Sequence, residues 1–290
     1  LRRAAALYRT RFASRLRNRR LVSPESLSEH KEIPMSEHDK SNLSRGIAAE
    51  MDHKLEQGAW DARQKLALTC RMLAHEGHSE TLAGQITLRV GDGTFLTTAM
   101  AVGFDEVTRS SVIRIDDEMR VIEGSGMANP AIRFHLWIYR RRPDVNCIVH
   151  THPPYVNALS MTGVPLEVAH MDATPFFNDC AFLKEWPGLP IADNEGEIIS
   201  GALGNKRTIL LANHGFLAAT SSIEESAYLS VLIERAARSQ ILARSMGQIV
   251  SIDPALAQES HDFLLLPSIV KASFALFGRR VIRREPEVLF

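Results

Sequence analysis

Apolar and polar residues along this chain recur with two different periods. From Ser44 to about Leu73 apolar side chains fall at Ile47, Met51 and Leu55, then at Leu66, Leu68 and Met72, a helical spacing closed by Gly77. Gln85–Val90 alternates instead, Ile86, Leu88 and Val90 against Thr87 and Arg89, which predicts a half-buried strand. Gly91-Asp92-Gly93 then predicts a hairpin turn into Thr94–Thr98. Val112–Ile115 and Met119–Ile122 flank the acidic Asp116-Asp117-Glu118 as a second strand–turn–strand unit.

Further along, Ile132–Arg142 predicts a helix stopped by Pro143, Asn146–His150 a strand, and Pro154–Thr162 a helix ended by Gly163. Glu195–Leu203 predicts a helix capped by Gly204, followed by strands at Thr208–Ala212 and Phe216–Ala219. Ser222-Ile223-Glu224-Glu225 is a capping box that opens a long helix to about Met246, and a last helix is expected over His261–Phe277. There is no internal repeat and no long linker. The expected architecture is α/β: one domain over residues 35–290, three layers, with a central, largely antiparallel sheet flanked by helices.

Composition narrows the class. Of the 290 residues, 45% are hydrophobic and 23% charged, as in an ordinary globular protein. The formal net charge of +0 hides two unlike parts: residues 1–34 hold nine Lys or Arg against three Asp or Glu, the rest 25 against 31. That mildly acidic body argues against a nucleic-acid partner. No apolar stretch has the length a bilayer requires, so no membrane partner is expected. Three widely spaced cysteines (Cys70, Cys147, Cys180) offer neither a disulfide framework nor a thiolate metal site, and suit a reducing, cytoplasmic setting. Leu1–Arg20 carries eight arginines and no acid, and resembles a transit peptide. Because a conventional start, Met35-Ser36-Glu37, lies just before the first helical pattern, residues 1–34 are expected to be a disordered or spurious extension that the domain does not need.

Candidate chemistry concentrates in Ile148-Val149-His150-Thr151-His152-Pro153-Pro154. Residues i and i+2 of a strand share a face, so His150 and His152 can converge on one ion where a buried strand runs out into a helix. His214, at the turn after the apolar Ile209–Ala212, would be a third imidazole, and three protein ligands with an open position define a catalytic site.

The block Pro143-Asp144-Val145-Asn146-Cys147-Ile148-Val149-His150-Thr151-His152-Pro153-Pro154, with Leu210-Leu211-Ala212-Asn213-His214-Gly215 and the helix bearing Glu234-Arg235-Ala236-Ala237-Arg238-Ser239-Gln240, resembles the class II aldolase/adducin family. The resemblance covers about Gln64–Gly247. It implies a homotetramer with sites between subunits, a small-molecule substrate, and Zn2+ (or Mn2+ or Co2+) held by His150, His152 and His214. The family's Ser-Ser-Glu, two serines for phosphate and a glutamate acid/base, aligns through Phe134-His135 with Asn129-Pro130-Ala131. Ala131 cannot move a proton. The family's phosphate-side asparagine appears as Gln85, so Gln85 and Asn129 stand at substrate-contact positions altered from the sugar-phosphate pattern. His170-Met171-Asp172 resembles the His-Ala-Asp of the family's epimerase branch and makes Asp172 the candidate acid/base; the other reading is a turn cap.

A reaction that leaves position 131 idle need not begin by abstracting a carbon-bound proton. The resemblance therefore implies a carbon–carbon lyase, favoured as a decarboxylase of a non-phosphorylated hydroxy-aromatic or hydroxypyridine carboxylate, with Arg133 or Arg89 available to pair with a second carboxylate. Trp137, Tyr155, Phe176 and Phe177 would suit a flat substrate, although core packing explains most of them. His135, one helical turn beyond Ala131, is expected to be structural, and Arg279, Arg280, Arg283 and Arg284 a surface or subunit contact. The alternatives are retro-aldol cleavage of a hydroxy-keto substrate and a non-catalytic, adducin-like module.

Overall fold

The computed structural model describes residues 37–55, 58–78, 81–189 and 193–290. The expectation for residues 1–34 lies outside these. The chain divides at Leu43/Ser44, and Ser44–Phe290 forms one compact unit. The first helical pattern resolves into two helices, α1 (Glu37–Lys54) and α2 (Ala62–His75), because Asp61 accepts from the Gln64 amide while the Gln64 side chain accepts from the Asp61 amide, starting a new helix. The strands are β1 (Gln85–Gly91), β2 (Thr94–Thr98), β3 (Val112–Asp116), β4 (Val121–Glu123), β5 (Cys147–Thr151), β6 (Cys180–Leu183), β7 (Thr208–Leu211) and β8 (Gly215–Thr220). Between and after them come α3 (Ile132–Arg141), α4 (Pro154–Ser160), α5 (Asp193–Leu203), α6 (Ile223–Met246), α7 (Pro254–Leu264) and α8 (Pro267–Arg284).

The strands form one eight-stranded sheet in the order β4-β3-β2-β1-β5-β8-β7-β6, antiparallel throughout except for the parallel pair β6–β7. Helices α3 and α5 cover one face over Phe134, Ile138, Ile148, Ile199 and Leu217. The other face is covered by α2 and α8 over Ile86, Leu88, Val149 and Phe274, and by α4 and α6 over Phe216, Leu229 and Ile233. The three-layer expectation is met. Two further elements differ from the sequence reading. The four-residue β6 is too short to show a period, and the single terminal helix is two, broken where Pro267 starts α8.

Among the described residues no single helix is long and apolar enough to cross a membrane. The bent pair α7–α8 passes that test by length and composition, yet Ala257, Val270, Phe274 and Val281 are buried against protein.

One buried carboxylate ties two helices of the same layer together behind the histidine segment. Glu234 on α6 is 7% exposed and accepts from the backbone amides of Tyr155 (2.9 Å) and Val156 (2.8 Å), two orphan donors of the first turn of α4. That contact fixes the path of the chain leaving His152. Glu234→Gln replaces one accepting oxygen with a donor facing an amide, and should cost about 1–3 kcal/mol of stability in chemical denaturation. A change below about 0.3 kcal/mol would show that α4 is held by its apolar face alone.

Candidate metal centre

β5 is a central strand buried along its whole length, and His150 near its C-terminal end, with His152 just beyond it, brings the chemistry to the end of the strand. In register, His150 stands between Gln85 on β1 and Leu217 on β8. Its Nδ1 lies 2.8 Å from the carbonyl oxygen of Phe216, an acceptor only, so Nδ1 carries the hydrogen and Nε2 keeps a lone pair. His152 follows on the same side; its Nε2 is 2.9 Å from that of His150. His214 comes from the tight β7–β8 turn, where Asn213 takes a left-handed φ of 56° and the His214 amide bonds back to Leu211. The ring centres of the three histidines are 4.7, 4.8 and 4.9 Å apart, and one ligand nitrogen from each lies within 4.8 Å of the others. No other such group of three occurs among the described residues.

These rings are electrically neutral. Burial, with the neighbouring histidines, holds His150 well below the ordinary imidazole value; burial lowers His152; and burial with His152 brings His214 to about 4. Two lone-pair nitrogens 2.9 Å apart repel unless a proton or a cation lies between them. Nitrogens at 2.0–2.1 Å from a tetrahedral ion would be separated by roughly 3.3–3.4 Å. The observed spacing brackets that value. The donor set therefore fits a divalent cation: three neutral imidazoles, one oriented by a backbone carbonyl, and no thiolate.

Gly215 is required by this packing. A Cβ there would lie 2.5 Å from His152 Cδ2 and 2.7 Å from the Thr151 carbonyl oxygen, closer than real contacts allow.

The remaining candidates divide. Gln85 stands beside His150, buried, with Oε1 unpartnered. Asn129 is half-buried and its Oδ1 accepts from the Ala131 amide at 3.0 Å, capping the turn into α3. Arg89, four residues and roughly 13 Å further along β1, donates to the Tyr139 carbonyl and lies over the Tyr139 ring. Arg133 is exposed, 3.9 Å from Asp193, and sits two positions from His135, about 200° around α3. Neither arginine is brought to the triad within this chain. Asp172 is 69% exposed and lines a separate cleft with His170, Arg235 and Ser239; its amide bonds the His170 ring, the turn-capping alternative. Trp137 packs over Gly196, Tyr155 lies beneath Arg238, and Phe176 is core.

Two groups carry more weight than the sequence reading gave them. His135 is fully buried, with its ring centre 6.4 Å from that of His150. Glu234 orients the segment after His152. The only local signal for His135 was a histidine in register with Ala131 on an amphipathic helix; Glu234, 82 positions beyond His152, stood in the block resembling the family's helix but nothing local pointed to its partners on α4.

Residues 64–241 match the model of the Class II Aldolase and Adducin N-terminal domain. The chain belongs to this family. Among its relatives, Decarboxylase NovR of Streptomyces niveus is 30% identical over 197 residues, covering 66% of this chain and 73% of that one. The 3,4-dihydroxyphthalate decarboxylase of Arthrobacter keyseri is 27% identical over 199 residues, 64% of this chain and 80% of that one. Among solved structures, an L-fuculose 1-phosphate aldolase from Glaciozyma antarctica PI12 superposes with a TM-score of 0.74 at 25% identity, over 84% of this chain and 100% of that chain. Decarboxylases and aldolases thus both occur among its relatives.

Gly215→Ala should displace the His152 ring and lower zinc affinity by about tenfold or more in chelator competition, with the fold retained by circular dichroism. Unchanged affinity would show that His152 is not a ligand. A second expectation concerns acid. Burial lowers His78 and His135 to about 3 from 6.5. The unfolded chain binds these protons near pH 6.5 and the folded protein does not until about 3. Stability should therefore fall as pH drops through that window, by roughly 1.4 kcal/mol per pH unit for each ring. A flat denaturation profile between pH 6 and 4 would mean the rings are charged in the fold.

Proposed function

We propose that the protein is a divalent-metal-dependent carbon–carbon lyase, and specifically a decarboxylase of a non-phosphorylated hydroxy-aromatic or hydroxypyridine carboxylate. One observation carries this. Among the described residues the cluster of ligand atoms formed by His150, His152 and His214 includes no Asp or Glu, and the position of the family's acid/base is Ala131. Three neutral imidazoles come together and, among the described residues, no carboxylate joins their cluster. Retro-aldol cleavage and epimerisation both need a group that takes a proton from substrate. Loss of CO2 does not: the carboxylate carbon departs, its bonding electron pair stays on the ring carbon, and a proton replaces it.

His150, His152 and His214 would hold Zn2+, Mn2+ or Co2+. Such an ion, when bound, supplies Lewis acidity toward a hydroxy-carboxylate. Gln85, beside His150, offers its carboxamide to the substrate, and Asn129 lies at the turn into α3 before Ala131. Phe134, whose ring meets that of His150 edge-on with centres 5.0 Å apart, packs the buried side of that histidine. Asp172 remains the proposed proton donor only if it reaches a triad from a neighbouring copy in the tetramer the family resemblance implies. The decarboxylases among the relatives support this reading. The likeness to the fuculose-phosphate aldolase supports a second, cleavage of a hydroxy-keto substrate to an aldehyde.

Metal analysis should find about one divalent ion per chain, and His152→Ala should lose both the ion and turnover. In a screen of hydroxy-aromatic acids and hydroxy-ketones, CO2 should be released and aldehyde should not. Ala131→Glu should not raise CO2 release. A large gain in aldehyde release by that variant would identify a weakened aldolase instead.

A further inference from the structure

Two buried acceptors beside the triad have no partner among the described residues, His135 Nε2 and Gln85 Oε1. Both lie on the sheet side that carries His150. Gln85 is its register partner, and His135 bonds Thr87, two residues along the same strand face. His135 is wholly buried, its ring perpendicular to that of His150 at 88°.

The other nitrogen of His135 belongs to a closed network. Nδ1 is 2.9 Å from Thr87 Oγ1, Thr87 Oγ1 is 3.0 Å from the Tyr139 hydroxyl, and the Tyr139 hydroxyl donates to the Thr87 carbonyl at 2.9 Å. Counting hydrogens decides the arrangement. The tyrosine hydrogen goes to the carbonyl, which can only accept. The threonine hydrogen then goes to the tyrosine oxygen, so the third contact needs its hydrogen from His135 Nδ1. Any other assignment leaves one of the three contacts without a hydrogen. The ring is therefore the Nδ1–H tautomer, and Nε2 is a bare lone pair. A bare acceptor sealed from water is unfavourable, and it selects for whatever brings a hydrogen to it. Ala131, one turn earlier on the same helix face, brings a single methyl to that side.

We infer that His135 is a specificity-determining residue, its Nε2 accepting a hydrogen bond from a hydroxyl or amino group of the substrate held at the triad. The inference rests on the reading of the triad as a substrate site. A methyl ether or a ketone in that place offers no hydrogen and is discriminated against.

The test uses two substitutions that divide the ring between them. His135→Asn keeps an amide near the Nδ1 position, facing Thr87, and removes Nε2; His135→Gln keeps a group near Nε2. The zinc-loaded full chain is titrated calorimetrically with salicylate and with 2-methoxybenzoate, which differ only in the hydroxyl hydrogen and its methyl replacement. Wild type should prefer salicylate by about tenfold, His135→Gln should retain much of that preference, and His135→Asn should lose it. Equal binding of the two acids to wild type, or an undiminished preference in His135→Asn, overturns the inference. If wild type binds neither acid, the hydroxy-aromatic reading fails, and hydroxyacetone against methoxyacetone is measured on the same three proteins by the same criteria. The tautomer is checked independently by 15N NMR of histidine-labelled protein without ligand. A bare Nε2 on His135 is expected, and a protonated Nε2 sinks the proposal whatever the substrate.

Discussion

The hydrogen bond from His150 Nδ1 to the Phe216 carbonyl, 2.8 Å across the β5–β8 pair, is the contact on which the centre depends. It selects one tautomer, turns Nε2 outward, and locks the end of β5 to the first residues of β8. Because β8 begins at Gly215, immediately after His214, the same bond sets where the third imidazole starts its turn. Gly215 lets the two segments approach closely, and Glu234 holds the chain beyond His152. If the carbonyl shifted by one residue of register, every side chain of β8 would change faces and His214 would leave with it.

Much of this was legible in the sequence because it is periodic or local. The alternation in Gln85–Val90, the hairpin glycines and the capping box at Ser222 each report a backbone preference within a few residues. His150 and His152 declare a shared face by their spacing alone. What stayed hidden depends on contacts between distant segments. Arg89 reads as a free guanidinium until Tyr139 is seen to take it, and Asp172 reads as an acid beside a metal until it is found exposed in another cleft. His135 illustrates the same limit: its partners Thr87 and Tyr139 lie on different elements, so only the folded arrangement shows which nitrogen is left bare.

The charge of the centre is as informative as its shape. Three neutral imidazoles would cancel none of the charge of a divalent ion, and among the described residues no carboxylate stands in their cluster. With an ion bound there, charge balance would be left to the incoming ligand, which would favour an anion able to bring two oxygens. Arginines are not gathered at the triad; the two weighed for that role are engaged with Tyr139 and Asp193.

The placement of His214 also bears on how the protein assembles. It is separated from His150 by 64 positions, a span that includes β6, α5 and β7, and the two rings meet only after β8 has paired with β5. Closing so long a loop is an entropic cost met before any contact between them forms. A metal ion therefore cannot nucleate this sheet as it does in a small zinc module, where the ligands are neighbours in sequence. An ion bound by the three histidines would enter a scaffold that has already closed, would stabilise the native state by mass action, and could be withdrawn without unravelling the core.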